Sequence, residues 1–232
     1  MEILKGISIV GPALFIDEQK ILVINDLHLG YEEVLHRKGV LVPRFQLGEI
    51  LEVLRKIISN THPEKIIING DLKHEFGTVL NREWKEVLQL LDFCLNKVEE
   101  AIIIRGNHDP IIKPIAEKRG IKVLTEYNVG ETLIVHGDEL VETKAKNVII
   151  GHEHPAITVR EGSKWEKYKC FLKGRWKRKN LVAVPSFNPL LEGTDVLKEQ
   201  LLSPFLKNIK NFEVFIVSKG EVFRFGKVKN FV

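Results

Sequence analysis

Short runs of apolar residues, many of them β-branched, recur along the first two thirds of the chain, and turn residues bound them. The runs are too short for helices, and their composition is typical of strands that are buried on both faces of a sheet. We therefore predict five buried strands, at Ile21–Ile24, Ile66–Ile68, Ala101–Ile104, Leu133–Val135 and Val148–Ile150.

Two stretches between these runs repeat their apolar residues with the period of a helix. One extends from Leu47 to Ile58 and the other from Trp84 to Leu95. Each pattern predicts an amphipathic helix that lays one face on a sheet. The order strand, helix, strand, helix, strand predicts an α/β fold with parallel neighbouring strands.

The last third of the chain has a different pattern. After Gly151 the sequence alternates strands and turns, which predicts a second, more antiparallel sheet. We predict a helix at Thr194–Asn208 and two final strands around Phe212–Val217 and Glu221–Phe225. Since the chain contains no internal repeat and no linker rich in proline or glycine, residues 1–232 are predicted to form one domain.

The composition is that of an ordinary globular protein, with 44% hydrophobic and 28% charged residues. No apolar run approaches the ~20 residues of a membrane span, and the first residues lack the features of a signal peptide. Cys94 and Cys170 lie in apolar patterns without CxxC spacing, which favours buried thiols over a disulfide. These features predict a cytoplasmic protein without a membrane partner.

The positive charge is concentrated in one part of the chain. Arg160–Lys179 carries a local charge of +7, whereas the remaining residues sum to −3. We predict that this basic, strand-rich segment, at about residues 155–185, binds nucleic-acid phosphates through Lys173, Arg175, Lys177 and Arg178. The alternative is a lysine-rich strand edge that prevents aggregation. The aromatic residues interleaved with these cations either stack on bases or pack the segment onto a sheet.

Each predicted buried strand leads directly into side chains that bind metals. Six of the eight histidines lie at such positions, at the strand ends where open α/β sheets build their sites. The mixture of imidazole, carboxylate and amide suits Zn, Mn or Fe(II) better than Ca or Mg. Because the ligands exceed what one tetrahedral ion needs, two divalent ions are predicted. The six histidines are His28, His74, His108, His136, His152 and His154, and each is accompanied by Asp, Asn or Gly.

These residues form five ordered blocks: Asp-x-His, Gly-Asp-x-x-His, Gly-Asn-His-Asp, His-Gly and Gly-His-x-His. In that order, between Asp26 and His154, they resemble the calcineurin-like metallophosphoesterase superfamily. Gly-Asp-Leu-Lys-His and Gly-His-Glu-His-Pro further resemble the SbcD-type DNA-repair nucleases and their small relatives, which include the ligase-associated phosphoesterase PdeM. Tyr168–Gly174 and Pro185–Pro189 are also similar to those small relatives.

The resemblance implies an α/β, four-layer sandwich of two facing mixed β-sheets flanked by helices, with a dinuclear site along one edge. Manganese is the expected metal, with zinc and iron as alternatives. Asp71 would bridge the two ions. Each remaining ligand would bind one ion, with Asp26, His28 and His154 on the first and Asn107, His136 and His152 on the second.

The resemblance also implies roles for three residues that are not ligands. His108 would protonate the leaving oxygen or stabilise the phosphoryl charge, and His74 would lie near the scissile phosphate. Asp109 would orient the His108 imidazole, as a neighbouring carboxylate commonly does, or would instead cap a helix before Pro110.

The function implied is hydrolysis of a phosphodiester in DNA by hydroxide that is activated between two metal ions. Two enzymatic alternatives are a phosphomonoesterase and a cyclic-nucleotide phosphodiesterase. A non-catalytic scaffold with the same fold is an alternative from a different class. The sequence leaves open a homodimer and a partner protein from DNA repair.

Overall fold

The computed structural model describes residues 1–75 and 81–231. Its first β-sheet has seven strands, and they lie side by side in the order of the chain. Strands one to four pair antiparallel, whereas strands four to seven pair parallel. These strands are β1 (Glu2–Leu4), β2 (Ile7–Val10), β3 (Ala13–Ile16), β4 (Ile21–Asn25), β5 (Lys65–Asn69), β6 (Glu100–Ile104) and β7 (Lys122–Leu124).

The second sheet has nine strands: β8 (Glu126–Val129), β9 (Thr132–Val135), β10 (Asn147–Ile150), β11 (Pro155–Glu161), β12 (Lys164–Trp176), β13 (Lys179–Ala183), β14 (Thr194–Asp195), β15 (Glu213–Ser218) and β16 (Glu221–Lys227). Their order is β14-β11-β12-β13-β10-β9-β8; in addition, β15 pairs with β12, and β16 pairs with β15. β10 pairs parallel with β9 and β13, and β12 pairs antiparallel with β11, β13 and β15. The five predicted buried strands and the two final strands are confirmed, but this sheet begins before Gly151.

Four α-helices are described: α1 (Tyr31–Arg37), α2 (Gln46–Thr61), α3 (Asn81–Leu95) and α4 (Lys113–Lys118). α2 and α3 confirm the two helices that the apolar periodicity predicts. Their buried residues, such as Leu54 and Leu91, pack against the first sheet at Ile66 and Ile68. Over residues 1–75 and 81–231, no helix has the length and apolarity needed to cross a membrane.

The two sheets face each other across a shared apolar core. Ile67 and Ile102 of the first sheet pack with Ile149, Phe171 and Val182 of the second. Because each sheet is mixed and helices flank the first one, the predicted fold class is confirmed. The two cysteines are buried free thiols, also as predicted.

The predicted helix at Thr194–Asn208 is wrong. The first two of these residues form β14, which pairs with β11, and the rest adopt turns and irregular structure. Pro204 lacks a backbone N–H and restricts the residue before it, so a helix cannot continue through this point.

Side chains also take the N–H groups that a helix would use in this segment. Glu153 accepts hydrogen bonds from the backbone N–H groups of Leu202 and Ser203, and Asp195 accepts one from Leu197. The apolar residues of the segment nevertheless pack on the outer face of the second sheet, as Phe205 does. The apolar pattern therefore reflected burial without a helix.

Candidate metal centre

The carboxyl ends of strands from both sheets meet at one edge of the sandwich. In the first sheet, the parallel register pairs Asn25 of β4 with Asn69 of β5, and Asn69 with Ile104 of β6. In the second sheet, Ile150 of β10 pairs with Val135 of β9. Each of these strands runs directly into one of the predicted metal-binding motifs, so five motifs that are distant in sequence converge.

The first group of side chains combines two carboxylates and two imidazoles. One potential ligand atom from each of Asp26, His28, Asp71 and His154 lies within 4.8 Å of the others. The Nε2 atoms of His28 and His154 are 3.3 Å apart, and each also lies 3.6 Å from a carboxylate oxygen. This is a compact mixed nitrogen and oxygen donor set.

The second group shares Asp71 with the first. Ligand atoms of Asp71, His136 and His152 also lie within 4.8 Å of one another. Oδ1 of Asn107 is 3.0 Å from Nε2 of His136, which brings the amide of the Gly-Asn-His-Asp motif into the same group. The structure thus brings all seven predicted ligands together in two overlapping groups, and Asp71 belongs to both.

Two glycines are needed where the strands approach these side chains. A Cβ atom on Gly70 would lie 1.9 Å from Nδ1 of His136, and one on Gly106 would lie 2.2 Å from Oδ1 of Asp71. Real atoms do not approach so closely, so any other residue would displace the ligand beside it. The glycines of the Gly-Asp and Gly-Asn-His motifs therefore have a steric role.

The backbone at the site is unusually strained. Asp26, His28, Asp71, His152 and His154 all have φ between 43° and 63°, in the left-handed region. A residue with a side chain loses about 1–2 kcal/mol in this conformation, and such strain is concentrated at functional sites. The fold therefore holds five of the seven predicted ligands in a costly conformation.

Two buried atoms that face each other at the site make no hydrogen bond. Oδ1 of Asp26 and Nδ1 of His136 lie 3.5 Å apart, at ion-pair distance but beyond a good hydrogen bond. An unsatisfied buried polar atom costs about 1–3 kcal/mol, more if it is charged, and a bound cation would supply a partner for the Asp26 carboxylate. The donor set of imidazole, carboxylate and amide suits Mn, Zn or Fe(II). The residues present therefore fit a divalent metal centre.

The electrostatics of the site favour the ligand forms of His28, His152 and Asp71 but not that of His136. Burial lowers the pKa of His28 well below its usual range and also lowers the pKa of His152, so both rings are neutral at pH 7. Burial alone would raise the pKa of Asp71, but the hydrogen bond and charge of His136 reverse this and lower it. Neutral imidazoles and an ionised carboxylate are the forms that bind metals. Burial alone would lower the pKa of His136, but its hydrogen bond to Asp71 and the charges of Asp26 and Asp71 raise it to about 9. Metal binding at His136 would therefore release a proton.

His108 and His74 lie beside the first group, and the rings of both contact the ring of His28. The backbone N–H of His108 donates to Oδ1 of Asp71 at 2.9 Å. Its Nδ1 lies 2.5 Å from the carbonyl oxygen of His74, and since a carbonyl only accepts, Nδ1 carries the proton. The rings of His74 and His108 are stacked at 5.6 Å. Burial lowers the pKa of His74 to about 4, which keeps its ring neutral.

Asp109 is buried, and its hydrogen bonds go to the backbone. Its carboxylate accepts N–H groups from Leu72, Lys73 and Gly106 at 3.1–3.3 Å. Burial, followed by the charge of Asp71, raises the pKa of Asp109 to about 6. These contacts correspond neither to orienting the His108 ring nor to capping a helix. They tie two ligand-bearing loops together, a function that the sequence did not reveal.

The loop after β13 supports the site, and its role was also missed. Ser186 donates its hydroxyl to the carbonyl of Asp26 at 2.7 Å, and the Asn188 amide approaches the carbonyl of His28. The buried ammonium of Lys169 donates to the carbonyl oxygens of both loop residues. The sequence signal for this loop was the similarity of Pro185–Pro189 to the small relatives of the SbcD-type nucleases. That similarity did not indicate what the loop residues do.

Three of the four cations predicted to bind nucleic acid lie at the end of the second sheet that is remote from the ligands. Arg175, Lys177 and Arg178 surround the turn before β13, at the amino end of that strand, whereas the ligands follow carboxyl ends. Lys173 lies within β12, opposite Val182. At ~3.3 Å per residue, the turn is roughly 15 Å from the ligand edge. This placement argues against contact between the three turn cations and a phosphate at the metal centre. Lys173 instead lies at the level of Ile149, one residue from the carboxyl end of β10.

The fold and the site together define a protein of two facing sheets with a candidate divalent-metal centre at one edge. The chain belongs to the calcineurin-like phosphoesterase family, whose model matches residues 19–217. This family membership confirms the resemblance that the five motifs predict.

The structure is also similar to solved structures. The nuclease MPE of Pseudomonas putida superposes with a TM-score of 0.66 at 17% identity, over 94% of each chain, and this similarity supports the fold. The phosphoesterase Yfce of E. coli has a TM-score of 0.44 at 13% identity, over 88% of this chain and 96% of the other. A comparison with curated protein sequences gives no match.

Proposed function

We propose that the protein is a dinuclear metal-dependent phosphodiesterase that acts on nucleic acid, with DNA as its substrate. The observation that carries the proposal is the sharing of Asp71 between two overlapping ligand groups, because one carboxylate can serve two cations that lie close together. The likeness to a fold that in Pseudomonas putida belongs to a nuclease supports the choice of substrate class.

The ligands divide between the two ions as the motifs imply. Asp26, His28 and His154 would hold the first ion, and Asn107, His136 and His152 the second, with Asp71 between them. When bound, the two cations supply Lewis-acid stabilisation of the phosphoryl oxygens and lower the pKa of water toward ~7. We propose manganese as the metal, since the mixed donor set accommodates it.

His108 is proposed to act on the substrate. With its Nδ1 donating to the carbonyl of His74, its Nε2 atom is the one that can exchange a proton with a leaving oxygen. Nε2 lies 4.0 Å from a carboxylate oxygen of Asp71, so the ring stands at the rim of the ligand cluster. His74, which stacks on this ring, is proposed to contact the phosphoryl group.

Assays on a panel of substrates test the proposal. The protein, loaded with Mn²⁺, is expected to hydrolyse bis-p-nitrophenyl phosphate and to cleave DNA, and to act more slowly on p-nitrophenyl phosphate. Single-stranded and double-stranded DNA are compared at equal nucleotide concentration, with EDTA as the control. Faster hydrolysis of the monoester than of every diester would refute the proposed function.

A further inference from the structure

A second charged surface lies at the opposite end of the second sheet from the metal ligands. It is a shallow cleft of about 490 Å³ at the amino ends of β10 and β13. We call it the basic cleft, and it is defined by the cations that line it: Lys144, Lys146, Arg175, Lys177, Arg178 and Lys179. Two of them, Lys144 and Lys146, lie outside the segment that the sequence identified as basic.

The charge of the basic cleft is largely uncompensated. Among the residues that the structure describes, only Lys146 has a carboxylate within ion-pairing distance, that of Glu131. Arg175 donates to the side-chain oxygen of Asn180, and Lys179 donates to the carbonyl of Ala145, so both use neutral acceptors. Five neighbouring cations without a counter-charge repel one another, and a bound anion would relieve this repulsion.

The cleft is held in place by contacts between its two walls. The backbone N–H of Asn180 donates to the carbonyl of Lys146 at 2.9 Å, and the Asn180 amide donates to Asn147 at 2.8 Å. Lys177 occupies the tight turn with φ of 54°, a conformation that favours glycine or asparagine. Hydrogen bonds therefore fix the backbone that carries these cations, and Lys177 has a strained backbone conformation.

We propose that the basic cleft is a second binding site, separate from the metal centre, for the phosphate backbone of a nucleic acid. A nucleic-acid strand carries one negative charge per nucleotide, so neighbouring phosphates can contact several of these cations at once. The guanidinium groups of Arg175 and Arg178 in the cleft are planar, and their N–H groups match the geometry of phosphate oxygens. The identification of the anion as nucleic acid rests on the proposed function.

The position of the cleft determines what it does. Since the strands separate it from the metal ligands by roughly 15 Å, it cannot contact the bond that is hydrolysed. It anchors a distant part of a long strand or duplex, and a small diester does not reach it. Lys177 and Arg178 are therefore still proposed to bind nucleic acid, but at the basic cleft and not at the metal centre.

Two variants with equal loss of charge test this proposal. The cleft variant combines Lys144→Gln, Lys177→Asn and Arg178→Gln, in which asparagine suits the left-handed turn. The matched control combines Arg160→Gln, Lys164→Gln and Lys167→Gln on the β11–β12 hairpin. Binding of a fluorescein-labelled 30-base-pair duplex and a 30-nucleotide strand is measured by polarisation in EDTA, between 50 and 300 mM salt, so that neither probe is cleaved.

The cleft variant is expected to bind both probes roughly tenfold or more weakly at 0.1 M salt. The slope of log affinity against log salt should fall by about 2–3 units, at ~0.7–0.9 for each phosphate that is no longer neutralised, while the control stays close to the wild type. Equal losses in both variants, or no loss in the cleft variant, would overturn the proposal. Melting temperatures within a few degrees of the wild type establish that both variants are folded.

Two further measurements separate this proposal from the proposed function. Polyglutamate of matched charge is used as a competitor, and displacement as effective as that by DNA would instead assign the cleft to an acidic protein segment. Hydrolysis of bis-p-nitrophenyl phosphate by the wild type tests the metal centre alone. If the wild type does not hydrolyse this diester but still binds DNA at the basic cleft, the proposed function is refuted and the second binding site is supported.

Discussion

Replacing Asp71 with alanine is expected to abolish metal occupancy and hydrolysis together. Oδ2 of Asp71 lies 3.6 Å from Nε2 of His28 and 3.5 Å from Nε2 of His136, so it faces ligands of both proposed ions. Without it, two cations would stand close together with no shared negative charge between them. Stabilisation by such ions is worth several kcal/mol, so turnover should fall by about 10³-fold or more.

The measurement is metal content per chain after gel filtration, together with the rate of bis-p-nitrophenyl phosphate hydrolysis. Asp71→Asn is the matched variant, because it keeps the size and one acceptor oxygen while it removes the charge. It should retain the fold and still lose at least one ion. If Asp71→Ala keeps two ions per chain, Asp71 does not bridge the metals.

Replacing His108 with alanine is expected to leave both ions bound and to lower turnover by ~10²–10⁴-fold, the usual contribution of general acid–base catalysis. The reason is that His108 stands at the rim of the ligand cluster, with 17% of its side chain exposed, and that its Nδ1 is engaged, which assigns proton exchange to Nε2. The loss should be larger for substrates whose leaving group is a poor one, such as an alkoxide. Nitrophenolate leaves with little need for a proton.

The exposed histidine at the end of α2, His62, provides the control. His62→Asn keeps a residue that tolerates the left-handed backbone there and should leave turnover unchanged. Equal losses on good and poor leaving groups in His108→Ala would indicate charge stabilisation instead of proton donation. Loss of one ion from that variant would make His108 a metal ligand and contradict the assignment.

The convergence of the predicted ligands could be read from the sequence because each ligand directly follows a buried strand. Apolar runs such as Ile66–Ile68 identify a strand, and parallel strands end at the same edge of a sheet, which places Asp71 near Asp26. The supporting contacts could not be read in this way. Ser186 reaches the backbone of Asp26 across 160 residues of sequence, and no periodicity encodes such a hydrogen bond.

Contacts between residues that are distant in sequence also explain the wrong helix prediction and the position of the basic cations. The apolar residues of Thr194–Asn208 are buried as predicted, but hydrogen bonds to Glu153 and the presence of Pro204 prevent the helix that their spacing indicated. The position of Arg178 depends on the direction in which β13 pairs with β10. The sequence pattern alone therefore does not indicate the end of the sheet at which this cation lies.

A titration of the metal-free protein with Mn²⁺ tests the central claim most directly. Bound metal per chain is measured by calorimetry while the hydrolysis of bis-p-nitrophenyl phosphate is followed in the same samples. We expect two ions to bind per chain and hydrolysis to rise with occupancy of the second. Full hydrolysis with a single ion bound, or two bound ions without hydrolysis of any phosphoester, would contradict a dinuclear phosphoesterase.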